Sequence, residues 1–212
     1  MTSEKNQQTY NCNLCSDTGY ILTKTAAGND ALAPCRCTMR ATKRRLFGDL
    51  FESKTLDNYE GRNASMREAV RYLKKTPAGS FFIYGDVGLG KTHLLAAIFE
   101  ENYTSGRWLS STILTETQLV DSIKSGAIRE KLNEAATFYI DDIGKIKIAN
   151  WDIEALFNFY NDVYRYNIGL VISSNYSLND LAEIYGGAIT RRIEERCEIL
   201  KIERGNNEAS IV

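Results

Sequence analysis

"YGDVGLGKTHLL" occupies residues 84–95 and is either a cradle for phosphate or a flexible turn ahead of a helix. Gly85, Gly90, Lys91 and Thr92 satisfy G-x-x-x-x-G-K-[ST] in full. The glycines let the backbone take positive φ, so that successive amide N–H groups point inward at an anion. The lysine reaches the β- and γ-phosphates, and the threonine hydroxyl ligates Mg²⁺. The whole run Gly85, Asp86, Val87, Gly88, Leu89, Gly90, Lys91, Thr92 and His93 is the candidate ATP-binding segment, with His93 read as packing of the helix that starts there. An apolar strand, "SFFIY", precedes the loop, and the helical pattern "KTHLLAAIFEENY" follows it. That context is what the motif needs and what a plain turn does not supply.

A phosphate loop needs carboxylates from a neighbouring strand. "TFYIDDIG" at 137–144 ends an apolar strand in Asp141 and Asp142. Asp141 would hold Mg²⁺ and Asp142 would polarise the attacking water. Alone, "DDIG" reads as a solvated turn; beside the loop the catalytic reading is stronger. "GLVISSN" is a second buried strand, ending in Ser173, Ser174 and Asn175. Ligands of open α/β sheets sit at the carboxyl ends of strands, where Asn175 could reach the γ-phosphate or the water. Arg191, Arg192 and Arg196 share one helix near the end of the chain. They are either a solvated face paired with Glu194, Glu195 and Glu198, the reading that composition favours, or a source of charge for a neighbouring subunit's nucleotide.

From about residue 63 onward, short apolar runs alternate with amphipathic stretches, the pattern of an α/β domain with a parallel sheet. Helices are predicted over 64–75, 91–103, 118–126, 128–135, 151–166, 178–186 and 188–197, with Thr115 or Thr117 as a cap. Further strands are predicted over 107–113 and 198–203. The division is into 1–40, a cysteine-rich segment; 41–62, a connector that begins basic; and 63–212, the nucleotide-binding domain. Formal net charge is −1, so any preference for nucleic acid must come from a local patch. Between residues 36 and 45 there are five basic residues and no acidic one, without interleaved aromatics. That run suits a phosphate backbone and a solvated linker equally. The first residues carry no apolar run, and no stretch approaches the roughly 20 apolar residues of a membrane span, so a cytoplasmic protein is expected.

The chain has five cysteines and one histidine. "CNLC" and "CRC" place Cys12, Cys15, Cys35 and Cys37 as C-x₂-C, nineteen residues, then C-x-C. Two short knuckles that bring four thiolates together suit a tetrahedral structural Zn²⁺ site with no open position. A segment this poor in apolar residues needs such a staple to fold. Cys197 reads as a core residue.

"GDVGLGKTHL", "YIDDIG", "ISSN" and "YGGAITRRIEERC" together resemble AAA+ ATPases of the DnaC/DnaI/IstB type, which are replicative helicase loaders and transposition helpers. "CNLCSDTGY…PCRC" is similar to the zinc-binding segment of some DnaI-like loaders, and "TLDNY" at 55–59 to the family's lead-in to its core. The resemblance implies a P-loop core with a five-stranded parallel sheet flanked by helices, without a helical lid. It implies ATP with Mg²⁺ bound between self-associated subunits, and Lys91, Asp141, Asp142 and Asn175 acting in cis. Arg192 would act in trans. It further implies a helicase hexamer gripped by the N-terminal region, single-stranded DNA as a second partner, no membrane, and a bacterial cytoplasm, of host or phage origin. A transposition helper and a nucleotide-switched binding protein that sequesters a helicase or loader are the competing readings.

Overall fold

The computed structural model describes residues 11–24, 28–61, 63–76, 78–104, 111–146 and 150–204. The chain divides into two compact units, Met1–Glu52 and Ser53–Val212.

In the first unit, strands β1 (Tyr20–Lys24) and β2 (Asp30–Pro34) pair antiparallel, with Leu22 opposite Leu32. Helix α1 (Arg36–Phe47) follows at once, and a 3-10 turn, Asp49–Phe51, ends the unit. Sequence periodicity did not predict these elements. Only Met39 and Lys43 of α1 are buried, so the helix shows too narrow an apolar stripe to be read. Arg36, Arg40, Arg44 and Arg45 are exposed along it, so the basic run is a helix face and not an extended linker.

The first helix of the second unit is α2 (Ala64–Lys75), capped by Asn63, whose side chain accepts the Met66 N–H at 3.0 Å. Met66, Ala69 and Leu73 form its buried face. Strand β3 (Phe81–Gly85) leads through the glycine loop into α3 (Lys91–Thr104). Leu94 to Ile98 are all fully buried, so α3 is apolar around its whole circumference and lies in the interior of the unit. Next come β4 (Ser111–Thr115), α4 (Glu116–Lys124), α5 (Ile128–Glu134) and β5 (Thr137–Ile143). Thr115 caps α4 through a reciprocal box with Gln118, settling the choice between the two threonines. The described residues close with α6 (Asn150–Arg165), β6 (Gly169–Ser174), α7 (Leu178–Tyr185), α8 (Gly187–Arg196) and β7 (Glu198–Ile202). The first residues of the strand predicted over 107–113 fall outside the described residues, and the strand runs on to Thr115.

Five strands form one parallel sheet in the order β4-β5-β6-β3-β7. The predicted α/β architecture is the observed one. Three neighbours, β5, β6 and β3, carry the acids, the Ser-Asn end and the glycine loop at their carboxyl ends, so all three converge on one edge of the sheet. Below that edge Phe82, Phe138, Ile140, Leu170 and Ile172 make the core with α6 and α8. Phe138 meets Phe159 edge to face, with ring centroids 5.2 Å apart. Phe138→Ala should therefore cost about 3–5 kcal/mol and lower the melting temperature of this unit by about 10 °C, read by calorimetry.

Candidate nucleotide and metal sites

The loop takes positive φ at Gly85, Gly88 and Gly90, as the sequence predicts. At two of these, space also demands glycine. A Cβ on Gly85 would lie 2.0 Å from the Ile202 carbonyl oxygen of β7, and one on Gly90 would lie 2.9 Å from the Tyr59 ring. The Lys91 ammonium donates to the carbonyls of Gly85 and Asp86, both at 2.8 Å, so it sits inside the loop's curve. Burial lowers its pKa, and the carboxylates of Asp142 and Asp141 oppose that shift.

The acids occupy an irregularity in the sheet. Pairing of β5 with β6 is regular to Ile140–Ile172 and resumes at Ile143–Ser174. Between them Asp142 takes φ +66°, which L residues rarely adopt. Successive residues of a regular strand face opposite ways; here the break lets both carboxylates meet the loop's edge. Thr92 Oγ1 donates to Asp141 Oδ2 at 2.9 Å, joining the two predicted Mg²⁺ ligands. Ser173 Oγ donates to Asp141 Oδ1 at 2.5 Å and accepts the Asp142 N–H at 2.8 Å. Asn175 Nδ2 donates to Asp142 Oδ1 at 3.2 Å, and the Lys145 ammonium pairs with Asp142 Oδ2. A hydroxyl and a carboxylate at this spacing are hard oxygen ligands that fit Mg²⁺.

Beside the loop opens a cavity of about 450 Å³, lined in part by Tyr59, Asn63, Met66, His93 and Arg204. The lead-in segment forms one wall of it. Tyr59 donates its hydroxyl to the Leu89 carbonyl at 2.5 Å, and His93 Nε2 meets the Thr55 carbonyl at 2.9 Å. Burial pushes the Tyr59 hydroxyl up to about 12, so it stays a donor. His93 thus ties the lead-in to α3, which agrees with a packing role. Arg204 donates to the Val87 carbonyl at 3.1 Å.

In the first unit the four predicted thiols converge. All their sulfurs lie within 4.8 Å of one another, with Cys12–Cys35 at 3.7 Å and Cys15–Cys37 at 3.5 Å. Four sulfurs around one Zn²⁺ at about 2.3 Å stand about 3.8 Å apart, so the set fits the ion. The amides of Cys15 and Leu14 bring the Cys12 thiol down to about 7, whereas burial pushes Cys37 up to about 12. The Asp17 carboxylate accepts the N–H groups of Asn11 and Cys12 at 3.1 and 2.9 Å and closes the turn.

The profile of the bacterial DnaA ATPase domain matches residues 52–196. The chain belongs to that family. Its AAA+ class, expected from the phosphate loop and acid pair, is thereby shown, and with it an ATPase. The chromosomal replication initiator protein DnaA of Kosmotoga olearia is 27% identical over 197 residues, covering 87% of this chain and 44% of that protein. The chain therefore spans less than half the length of that relative. Among solved structures, the DnaC helicase loader superposes with a TM-score of 0.64 at 21% identity, over 72% of this chain and 98% of that one. The replication initiator DnaA bound to AMPPCP and single-stranded DNA superposes with a TM-score of 0.59 at 23% identity, over 72% of this chain and 50% of that one.

The arginines of α8 make their contacts away from Asp141 and Asp142. Arg192 pairs with Glu195 at 2.7 Å and lies over the Tyr164 ring at 4.9 Å. Arg191 pairs with the same Glu195 at 2.8 Å, so the expected ion pairing on this face is present. Arg196 is different, since it donates to the carbonyls of Ile168 and Asn167 and fastens the turn before β6. Cys197 is buried in the core. Sequence reasoning missed Ser173, Lys145 and Tyr59 as parts of the site. Ser173 had a signal, a hydroxyl at the end of an otherwise apolar strand; the others had none beyond proximity to a motif. Ser173→Ala removes the donor that holds Asp141 and leaves the Asp142 N–H unpaired, at a cost of about 1–3 kcal/mol. A matching drop in stability, with weaker Mg²⁺ dependence of nucleotide binding in a titration with and without the metal, is the expected outcome.

Proposed function

We propose that this chain is an ATP-dependent loader that binds a hexameric replicative DNA helicase and helps place it on single-stranded DNA. The observation that carries the proposal is the convergence of the glycine loop, the paired acids and Asn175 at adjacent strand ends of a DnaA-family domain, joined in one chain to a four-cysteine unit. The match to nearly the full length of the DnaC helicase loader supports the loader side, and the DnaA complex with AMPPCP and single-stranded DNA supports ATP and DNA as ligands.

In this reading the nucleoside enters the cavity beside Tyr59 and the phosphates lie in the loop, facing the Lys91 ammonium and the amino end of α3. Mg²⁺, held by Thr92 and Asp141, supplies charge neutralisation on the phosphates. Asp142 orients a water and receives its proton as the water oxygen bonds to the γ-phosphorus. The bond from the γ-phosphorus to the β–γ bridging oxygen breaks, releasing ADP and phosphate. Asn175 holds the other oxygen of Asp142. Arg192 completes the site of a neighbouring subunit, from a helix face where Glu195 and Tyr164 already orient it. In the lone chain both Asp142 oxygens are engaged, by Asn175 and Lys145. That pairing and the missing trans arginine both predict slow turnover when the protein is dilute. The four cysteines hold Zn²⁺ and shape the unit that grips the helicase.

Turnover per chain should rise with protein concentration. Asp142→Asn should bind ATP normally and lose at least about a hundredfold in turnover. An equal rate per chain at all concentrations would sink the shared-site mechanism. For the partner, the protein is mixed with its cognate replicative helicase, ATP and Mg²⁺ and passed over a sizing column with light scattering. The joint peak should vanish, with the loss of one bound zinc per chain, when Cys12 and Cys15 become Ser. ATP binding should remain. No joint peak from an unmodified sample that binds ATP would transfer the proposal to a different partner.

A further inference from the structure

The first residue of α4, Glu116, is buried, at 4% exposure, 25 positions before the acid pair in sequence. A buried carboxylate needs several donors to be tolerated. Glu116 has four: Oε1 accepts from Gly144 N at 3.1 Å and from the Tyr185 hydroxyl, and Oε2 accepts from Lys145 N at 2.9 Å and Ile146 N at 3.1 Å. Its place at the amino end of α4 adds the favourable end of the helix dipole. The three amides belong to consecutive residues, so the backbone leaving the acid pair is wrapped around one anion. Tyr185, on α7, is itself buried and fixes the far side of the carboxylate.

What the clamp holds is the exit of the strained turn. Asp142 has φ +66° and Gly144 φ +97°. A Cβ at Gly144 would lie 2.6 Å from the Tyr176 ring, so the chain has little room to relax there. A non-glycine residue keeps a left-handed conformation only where its surroundings over-determine it. On the entry side that constraint is the Ser173 bond to the Asp142 N–H, and on the exit side it is Glu116. Lys145, whose ammonium meets Asp142, takes its own backbone position from Glu116 Oε2.

We infer that Glu116 is a positioning residue for Asp142: it clamps the amides of 144–146 and so sets where the water-orienting carboxylate stands. The inference rests on the hydrolytic reading proposed above. It also makes α4 and α7 part of the hydrolytic apparatus, because each supplies one side of the clamp.

Glu116→Gln tests this. The variant keeps the shape but places an NH₂ group against N–H or O–H donors at one end. Turnover is measured at high protein concentration with single-stranded DNA, per chain occupied by nucleotide, alongside ADP affinity and melting temperature. Turnover should fall at least about tenfold, since misplacing a reacting group by an ångström costs up to about a hundredfold. ADP affinity should stay within about twofold, because the clamp touches no part of the phosphate loop. Unchanged turnover overturns the inference. So does a parallel loss of ADP affinity, which would assign Glu116 to folding alone. If the variant does not fold, hydrogen exchange on the unmodified protein decides. Protected amides at 144–146 uphold the clamp, and exchange at open-loop rates overturns it. An unmodified protein that binds ATP but never hydrolyses it sinks the hydrolytic reading instead, and the same exchange measurement then judges the clamp.

Discussion

Two carboxylates at consecutive positions of a strand face opposite sides of the sheet unless the strand is broken at them. Everything at the nucleotide edge of this protein depends on such a break. Asp141 ends the regular pairing of β5, and Asp142 turns through a left-handed conformation that places its side chain beside Asn175 rather than against the core. The conformation is costly for a non-glycine residue, of order 1–3 kcal/mol. The surroundings offset it with hydrogen bonds to fixed groups: Ser173 before the turn, Glu116 after it, and Ser174, which donates to the Ile143 carbonyl at 2.8 Å. All three come from the secondary structure that flanks β5 in space, so the sheet order is what makes the turn possible.

The phosphate loop obeys a related constraint. Gly85 is glycine because β7 lies against it, and Gly90 is glycine because the lead-in tyrosine does. The loop is thus shaped from outside by two segments far away in the sequence as well as from within by its positive φ angles. This is why the lead-in belongs with the second unit although its sequence shows no regular element. Tyr59 and His93 pack edge to face at 5.1 Å, and His93 also meets the Thr55 carbonyl. Together they hold the segment against α3, where it walls the cavity.

The sequence was legible wherever chemistry and periodicity coincided. The helix over 64–75 is legible to the residue, since its apolar face recurs at helical spacing. The central strands β3, β5 and β6 show as apolar runs because they are buried on both faces, as parallel strands between helices are. The glycine loop and the cysteine knuckles each follow a spacing that few other functions need, and the acid pair gains its meaning beside the loop. What stayed illegible was tertiary. Glu116 sits in a segment, "TETQ", that reads only as a helix start, and its partners are 28 to 69 positions away. Nothing local distinguishes a carboxylate that solvates itself at a helix end from one that holds a distant turn. The small hairpin and α1 were invisible for a different reason. Their stability does not come from an apolar face, so they leave no period.

That difference bears on how the two units are held. The second has a large core in which nearly every aromatic and branched side chain of the central strands is covered. Among its described residues the first exposes Leu14, Leu22 and Leu32 at more than 70% each and buries little beyond Cys15, Cys35, Met39 and Lys43. Area burial on that scale falls well short of the ordering cost of roughly 1–2 kcal/mol per residue. Among the described residues, the four convergent sulfurs would make up the deficit on binding a metal ion, because the free energy of binding a structural metal is folding free energy. The leucines left outside the cluster are then surface that the unit does not need for its own stability. A small unit whose fold is carried by a metal can keep an apolar face open, whereas one carried by its core would have had to bury it.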